Sequence, residues 1–214
     1  KARYMDLLAL LYDVLQKARK EGLMSIERDV EAPHESPIFS KYPSVASDHH
    51  LIEFITDYLR MMVSGNLNPH EIENLMDGEI ETHHQEMHAP INAITKVGDG
   101  LPAFGIVAAV LGVVKTMASV GAAPSVLGQM IAGALVGTFL GILMAYGFVS
   151  PLSQLLEQKG EEAAKELACV KITLLASMQG YAPAIAVEFG RKMLFSTERP
   201  GFSELEQRVK QKKA

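Results

Sequence analysis

LPAFGIVAAVLGVVKTMASV (101–120) and VLGQMIAGALVGTFLGILMAYGFV (126–149) decide how the rest of this chain is read. Each is about as long as the ~20 mostly apolar residues that a helix needs to cross a bilayer. GAAPS (121–125) breaks them with a helix stop and a proline. From Thr116 to Leu156 no residue is charged, and between Asp99 and Glu157 only Lys115 ionises. A buried hairpin of a soluble protein would show a polar stripe on each helix, and these segments show none. The pattern predicts two membrane spans joined by a short turn, with Lys115 near the outer end, where its amine can snorkel.

The flanks of this slab are charged. Residues 1–100 hold nine Lys/Arg against seventeen Asp/Glu, and residues 157–214 hold ten against eight. An acidic front half argues against nucleic acid, which selects a basic face. Lys159, Lys165, Arg191 and Lys192 follow the second span and favour a cytoplasmic side there. Residues 1–100 and 151–214 are then cytoplasmic regions around a 101–150 transmembrane hairpin. The single Cys169 cannot form an internal disulfide and fits a reducing compartment. The chain opens at Lys1 without a signal-peptide pattern, as though joined mid-sequence.

Periodicity outside the slab is helical. Leu7, Leu8, Leu11, Val14 and Leu15 share a face opposite Asp6, Asp13 and Lys17. Gly22 reads as the stop of this helix and Ser25 as the N-cap of the next. The three prolines of 31–47 predict a loop, with Ser47 capping a helix through 48–65. Asn68-Pro69-His70-Glu71 supplies an N-cap, a proline at N1 and a carboxylate at N3. The helix it starts is expected to stop near His88, ahead of Pro90. Helices are further expected over 152–177 and after Pro183. No segment alternates as a strand would, so the fold class is all-α.

Few residues carry chemistry. Gly133, Gly137 and Gly141, followed by Ala145, recur every four positions, and small residues at that spacing let membrane helices approach closely. Pro102 and Pro151 stand at the inner ends of the spans, each removing a backbone donor. Helix-end punctuation and a hinge at an ion path are both open to them. The Thr138 hydroxyl is expected to bond its own i−4 carbonyl, with lining of a water path as the alternative. No Asp, Glu or His lies between 100 and 156. Any titratable group for ion conduction must come from another chain or from a preceding segment.

His84 and His88 stand one turn apart beside His83, but without HExxH order or a third ligand at fixed spacing. A solvated face is the expectation, with no metal and no role assigned to the three. No phosphate loop, nucleophile elbow or CxxC suggests an enzyme or a cofactor. The elbow KARKEGLMSIERD (17–29) suits helix dipoles at both ends, Arg19 closing one helix and Glu27 opening the next.

MDLLALLY (5–12), SIERD (25–29), DYLRMMVSG (57–65), EIETH (79–83), GDGLPAFGIVAAVLGVV (98–114), VGTFLGILMAYGFVSPL (136–152), GYAPAIAVEFGRK (180–192) and STERPGFSELE (196–206) together resemble the MotA family, the stator subunits of the bacterial flagellar motor. The resemblance covers essentially the whole chain in the family's order. It implies two further membrane helices ahead of Lys1, an inner-membrane location, and a ring of copies around a MotB dimer whose aspartate accepts the proton. It also implies contact with the rotor protein FliG through Arg19 and Glu27, conformational prolines at Pro102 and Pro151, and a pore threonine at Thr138. Gly137-Thr138 stands where sodium-driven relatives carry paired threonines, which leans toward protons. A TolQ/ExbB-type energiser of outer-membrane processes is the alternative within the superfamily; SIERD and VEFGRK fit it poorly.

Overall fold

A computed structural model describes residues 1–65 and 68–210. Among them there is no strand, and the chain packs as two compact units. One comprises Lys1–His83 with Glu162–Ala214; the other is His84–Glu161. These units follow packing, whereas the three-part division by charge follows the expected bilayer.

The first unit is built around α1 (Ala2–Glu21). Leu7, Leu8, Leu10 and Leu11 are fully buried, because α1 is covered on several sides rather than on one stripe. Its neighbours include α3 (Pro43–Ala46), α8 (Pro183–Met193) and α9 (Phe202–Lys210). Two further helices of this unit, α2 (Glu27–Glu31) and α4 (His49–Ser64), pack on each other. The region 31–47 is less irregular than three prolines suggest. It holds two 3₁₀ turns, Pro33–Glu35 and Phe39–Lys41, ahead of α3, because Pro33 and Pro43 each take a first-turn position where no N–H is needed.

Gly22 does end α1, with φ 91° and ψ 158°, a conformation that is nearly glycine-only. The two serine caps fall elsewhere. The Ser25 hydroxyl turns back to donate to the Gly22 carbonyl, inside a 3₁₀ turn over Leu23–Ile26. Asp48, one residue beyond Ser47, caps α4 by accepting from the Leu51 N–H at 3.1 Å.

The Asn68 cap is in place: its side-chain oxygen accepts from the His70 N–H at 3.0 Å. The helix it starts, α5 (Pro69–Met117), runs 49 residues through both Pro90 and Pro102. The expected stop at His88 is therefore wrong. Pro90 is exposed, so the carbonyl it leaves unbonded can be served by solvent. No glycine stop or polar cap accompanies it to end the helix. α6 (Pro124–Met144) returns antiparallel to α5. A π-helical turn, Ala145–Val149, leads into α7 (Ser150–Met178).

Candidate functional site

Two places carry the residues singled out by sequence: the hairpin formed by α5, α6 and the start of α7, and the elbow after α1.

In the hairpin, backbones meet where side chains are smallest. A methyl built on Gly141 would stand 2.6 Å from the Leu101 carbonyl oxygen, and one on Gly105 would stand 2.7 Å from that of Gly137. A methyl on Gly137 would meet the Ala108 Cβ at 2.9 Å, and one on Gly112 the Ala134 Cα at 2.9 Å. Both are too close for a side chain, so these glycines set the α5–α6 distance. Gly133 differs: nothing lies within 4 Å of its would-be Cβ, and Ala134 takes the contact instead. The four-residue stripe thus drifts off the interface toward the outer end, as a 3.6-residue period must.

Thr138 faces α5 across this seam. Its hydroxyl donates to the Gly105 carbonyl at 3.4 Å rather than to its own i−4 carbonyl, because the glycine opposite leaves that oxygen within reach. Lower in the hairpin, Thr95 and Ser153 share a hydroxyl–hydroxyl bond of 2.6 Å, and Thr95 also donates to the Ile91 carbonyl. Sequence reading passed over both, since a hydroxyl flanking a span carries no periodic signal.

Pro102 lies inside α5, and Pro151 lies in the first turn of α7, which the π-turn joins to α6 without a break. Leu101 contacts Gly141, whereas Ser150 and Ser153, on either side of Pro151, meet α5 at Gly98 and Thr95, so the prolines act at levels about 6–10 Å apart along α5. The residue four before each is glycine, Gly98 and Gly147. That carbonyl is the one a proline ring pushes away. Before Pro151 the helix widens into the π-turn, a recognised way to absorb such a clash. Gly98 packs closely on Val149 of that turn, where a Cβ would come within 3.2 Å.

The elbow divides its charges by role. Asp29 is buried and bonded by Lys17 at 2.7 Å and by the Ser36 hydroxyl at 2.6 Å. This pair closes the bend between α1 and α2, so Lys17 and Asp29 are structural rather than mere helix-dipole partners. Arg19 donates to the carbonyls of Tyr181 and Gly180, at 3.1 and 3.4 Å, yet stays exposed. Gly180 holds φ 88° to close α7, its N–H bonding Ser177 while Tyr181 N–H bonds Ala176. Glu27 is exposed. Beneath Arg19 a recess of about 350 Å³ is lined by Leu15, Leu23, Met62, Met178 and Tyr181.

Other candidates carry less. Burial pushes the Cys169 thiol well above its ordinary value, so it is a core side chain and not a reactive thiolate. No group of three His, Cys, Asp or Glu able to hold a metal occurs among the described residues.

Residues 46–169 match the model of the MotA/TolQ/ExbB proton channel family. The chain belongs to that family. It is 58% identical over 210 residues to motility protein A of Salmonella typhimurium, covering 98% of this chain and 71% of that protein. With the chemotaxis protein LafT of Vibrio parahaemolyticus it shares 39% over 203 residues, 95% of this chain and 71% of LafT. Among solved structures, MotAB of C. jejuni superposes with a TM-score of 0.77 at 21% identity, over 92% of this chain and 71% of that one. The MotAB stator complex of Bacillus subtilis gives 0.72 at 24%, over 94% and 69%. The all-α membrane fold is that of these stator subunits. α5 and the α6–α7 rod are both long and apolar enough to cross a bilayer, and only 6% of the most apolar window of the second is buried.

Proposed function

We propose that this stator subunit of the flagellar motor forms, with a MotB partner, a proton path along its α5–α6 hairpin and turns ion flow into torque on FliG. The observation that carries the reading is chemical. The hairpin presents wide apolar surface, with Phe104, Leu111 and Phe139 each more than 60% exposed, and has no carboxylate or imidazole of its own from 101 to 156. An ion path there needs an acceptor from a second chain, and the aspartate of MotB supplies one. The solved relatives are named as MotAB complexes, which supports a MotB partner; several copies ringing a MotB dimer complete the assembly proposed.

In this reading the bacterial inner membrane holds residues 101–150, and residues 1–100 and 151–214 lie on the cytoplasmic side. The Thr138 hydroxyl and the carbonyls freed by Pro102 and Pro151 are polar groups an ion can meet, and the π-turn before Pro151 is the element that changes pitch. Gly137 and Gly141 set the spacing of α5 and α6, and Gly133, one turn further out, lies outside that contact. Arg19 and Glu27 face the rotor, Arg19 held by the Gly180–Tyr181 turn while Glu27 is exposed. The chain acts as a channel subunit rather than as an enzyme.

Proton uptake by cells expressing an unplugged partner tests this. Uptake should require both chains, and reversing Glu27 to Lys should cut swimming several-fold while leaving membrane levels unchanged. Uptake by this chain without a partner overturns the proposal.

A further inference from the structure

His84 and His88 are one turn apart on α5, half-buried, and their Nε2 atoms stand 3.1 Å from each other with ring centroids 4.2 Å apart. We infer that this pair is a two-histidine site for a borderline divalent transition metal such as zinc or nickel. Sequence spacing alone predicts no metal here; the convergence of the two nitrogens changes that reading. With metal–nitrogen bonds of about 2.0–2.1 Å, nitrogens 3.1 Å apart subtend about 100° at the metal, between the octahedral and tetrahedral angles. Without a metal the two nitrogens face each other as the donor and acceptor of one hydrogen bond. A cation that takes the place of that hydrogen bond meets two ligand nitrogens already brought together on one face of α5.

The surroundings agree. Glu79, Glu81 and Glu86 occupy the same stretch of α5 and raise the local concentration of cations. No third His, Cys, Asp or Glu closes the shell among the described residues. Water then fills the remaining positions, and the metal exchanges readily. The clip spans the turn in which Pro90 leaves the Glu86 carbonyl without its helical donor, so a bound metal stiffens α5 where the proline weakens it.

Calorimetric titration of the chelator-treated stator complex with Zn²⁺, and separately with Ni²⁺, tests this. One metal per chain should bind, and either His84→Asn or His88→Asn should abolish it. His50→Asn is the control, because the His50 and His83 rings also lie close, at 4.0 Å. His84→Cys should keep zinc, since a thiolate supplies a ligand at the same point. Zinc and nickel binding unchanged in both His84→Asn and His88→Asn, binding lost only with His50→Asn, or no binding to the native complex would each overturn the assignment.

Discussion

Helices α1 and α6 invert the usual link between apolar composition and burial. α1 carries charged residues from Arg3 to Glu21 and still buries ten of its residues. α6 has no charged residue, yet only Ala134 and Gly141 are buried. α1 is a core helix because protein surrounds it, and its charges sit where partners meet them: Arg3 bonds Asp48 and Glu166, Lys17 bonds Asp29, and Asp13 accepts from Tyr42. α6 is apolar because its remaining surroundings are not water. One helix earns its place by burial within the chain, and the other by what lies outside it.

The sharpest way to break that contrast is to place a methyl where each unit brings backbone against a glycine. In the first unit that place is Gly190 on α8, whose would-be Cβ stands 2.8 Å from the Cys169 carbonyl oxygen and collides with the Thr173 hydroxyl. Backbone cannot swing aside, so Gly190→Ala should cost about 3 kcal/mol, the upper end for overpacking. Thermal unfolding of the detergent-solubilised chain, followed by near-ultraviolet dichroism, reads it. A change of under a degree in the midpoint would mean that α7 and α8 are not held at this spacing.

The hairpin should respond less, and unevenly. Gly141→Ala meets the Leu101 carbonyl and should lower the yield of assembled complex, at a cost of about 2 kcal/mol. Gly133→Ala meets open space and should be neutral, or gain up to about 1 kcal/mol from better helix propensity. Complex yield after size exclusion compares the two. Equal damage from both would show that a neighbouring subunit covers Gly133, and the stripe read from sequence would then serve two interfaces.

What was legible in the sequence is what repeats or excludes. The spans, the all-α class, the Asn68 start and the Gly22 stop each rest on several residues acting together. Features that rest on one long-range pairing were not legible. The 3.6-residue period marks Gly133, Gly137 and Gly141 alike, but only the position of α5 decides which of them packs. Lys17 and Asp29 look like dipole partners until the bend brings them to 2.7 Å. Pro90 looks like a stop because a proline usually is one; it fails here for want of a cap beside it. The glycines four residues before Pro102 and Pro151 went unread in the sequence, and only the π-turn gives their spacing a meaning.

The smallest expected effect sharpens the contrast through pH. Burial disfavours the charged form of Asp48, but the Leu51 N–H and the Arg3 guanidinium outweigh it and hold the carboxyl below the usual range. A depressed carboxyl stabilises the fold above its unfolded pKa, near 4, and that contribution is lost as pH falls through the folded value. Asp48→Asn keeps an oxygen for the helix cap and removes only the charge facing Arg3, a pair over a third exposed on each side. At neutral pH the substitution should cost no more than about 1 kcal/mol. Urea midpoints of native and variant chains should differ at pH 7 and converge as pH falls through the depressed Asp48 value, below the ordinary carboxylate range. The hairpin, without a carboxylate from 101 to 156, should add nothing to that convergence. A difference that stays constant across the range would place the Asp48 contribution in cap geometry, leaving the charge on α1 without a stabilising partner there.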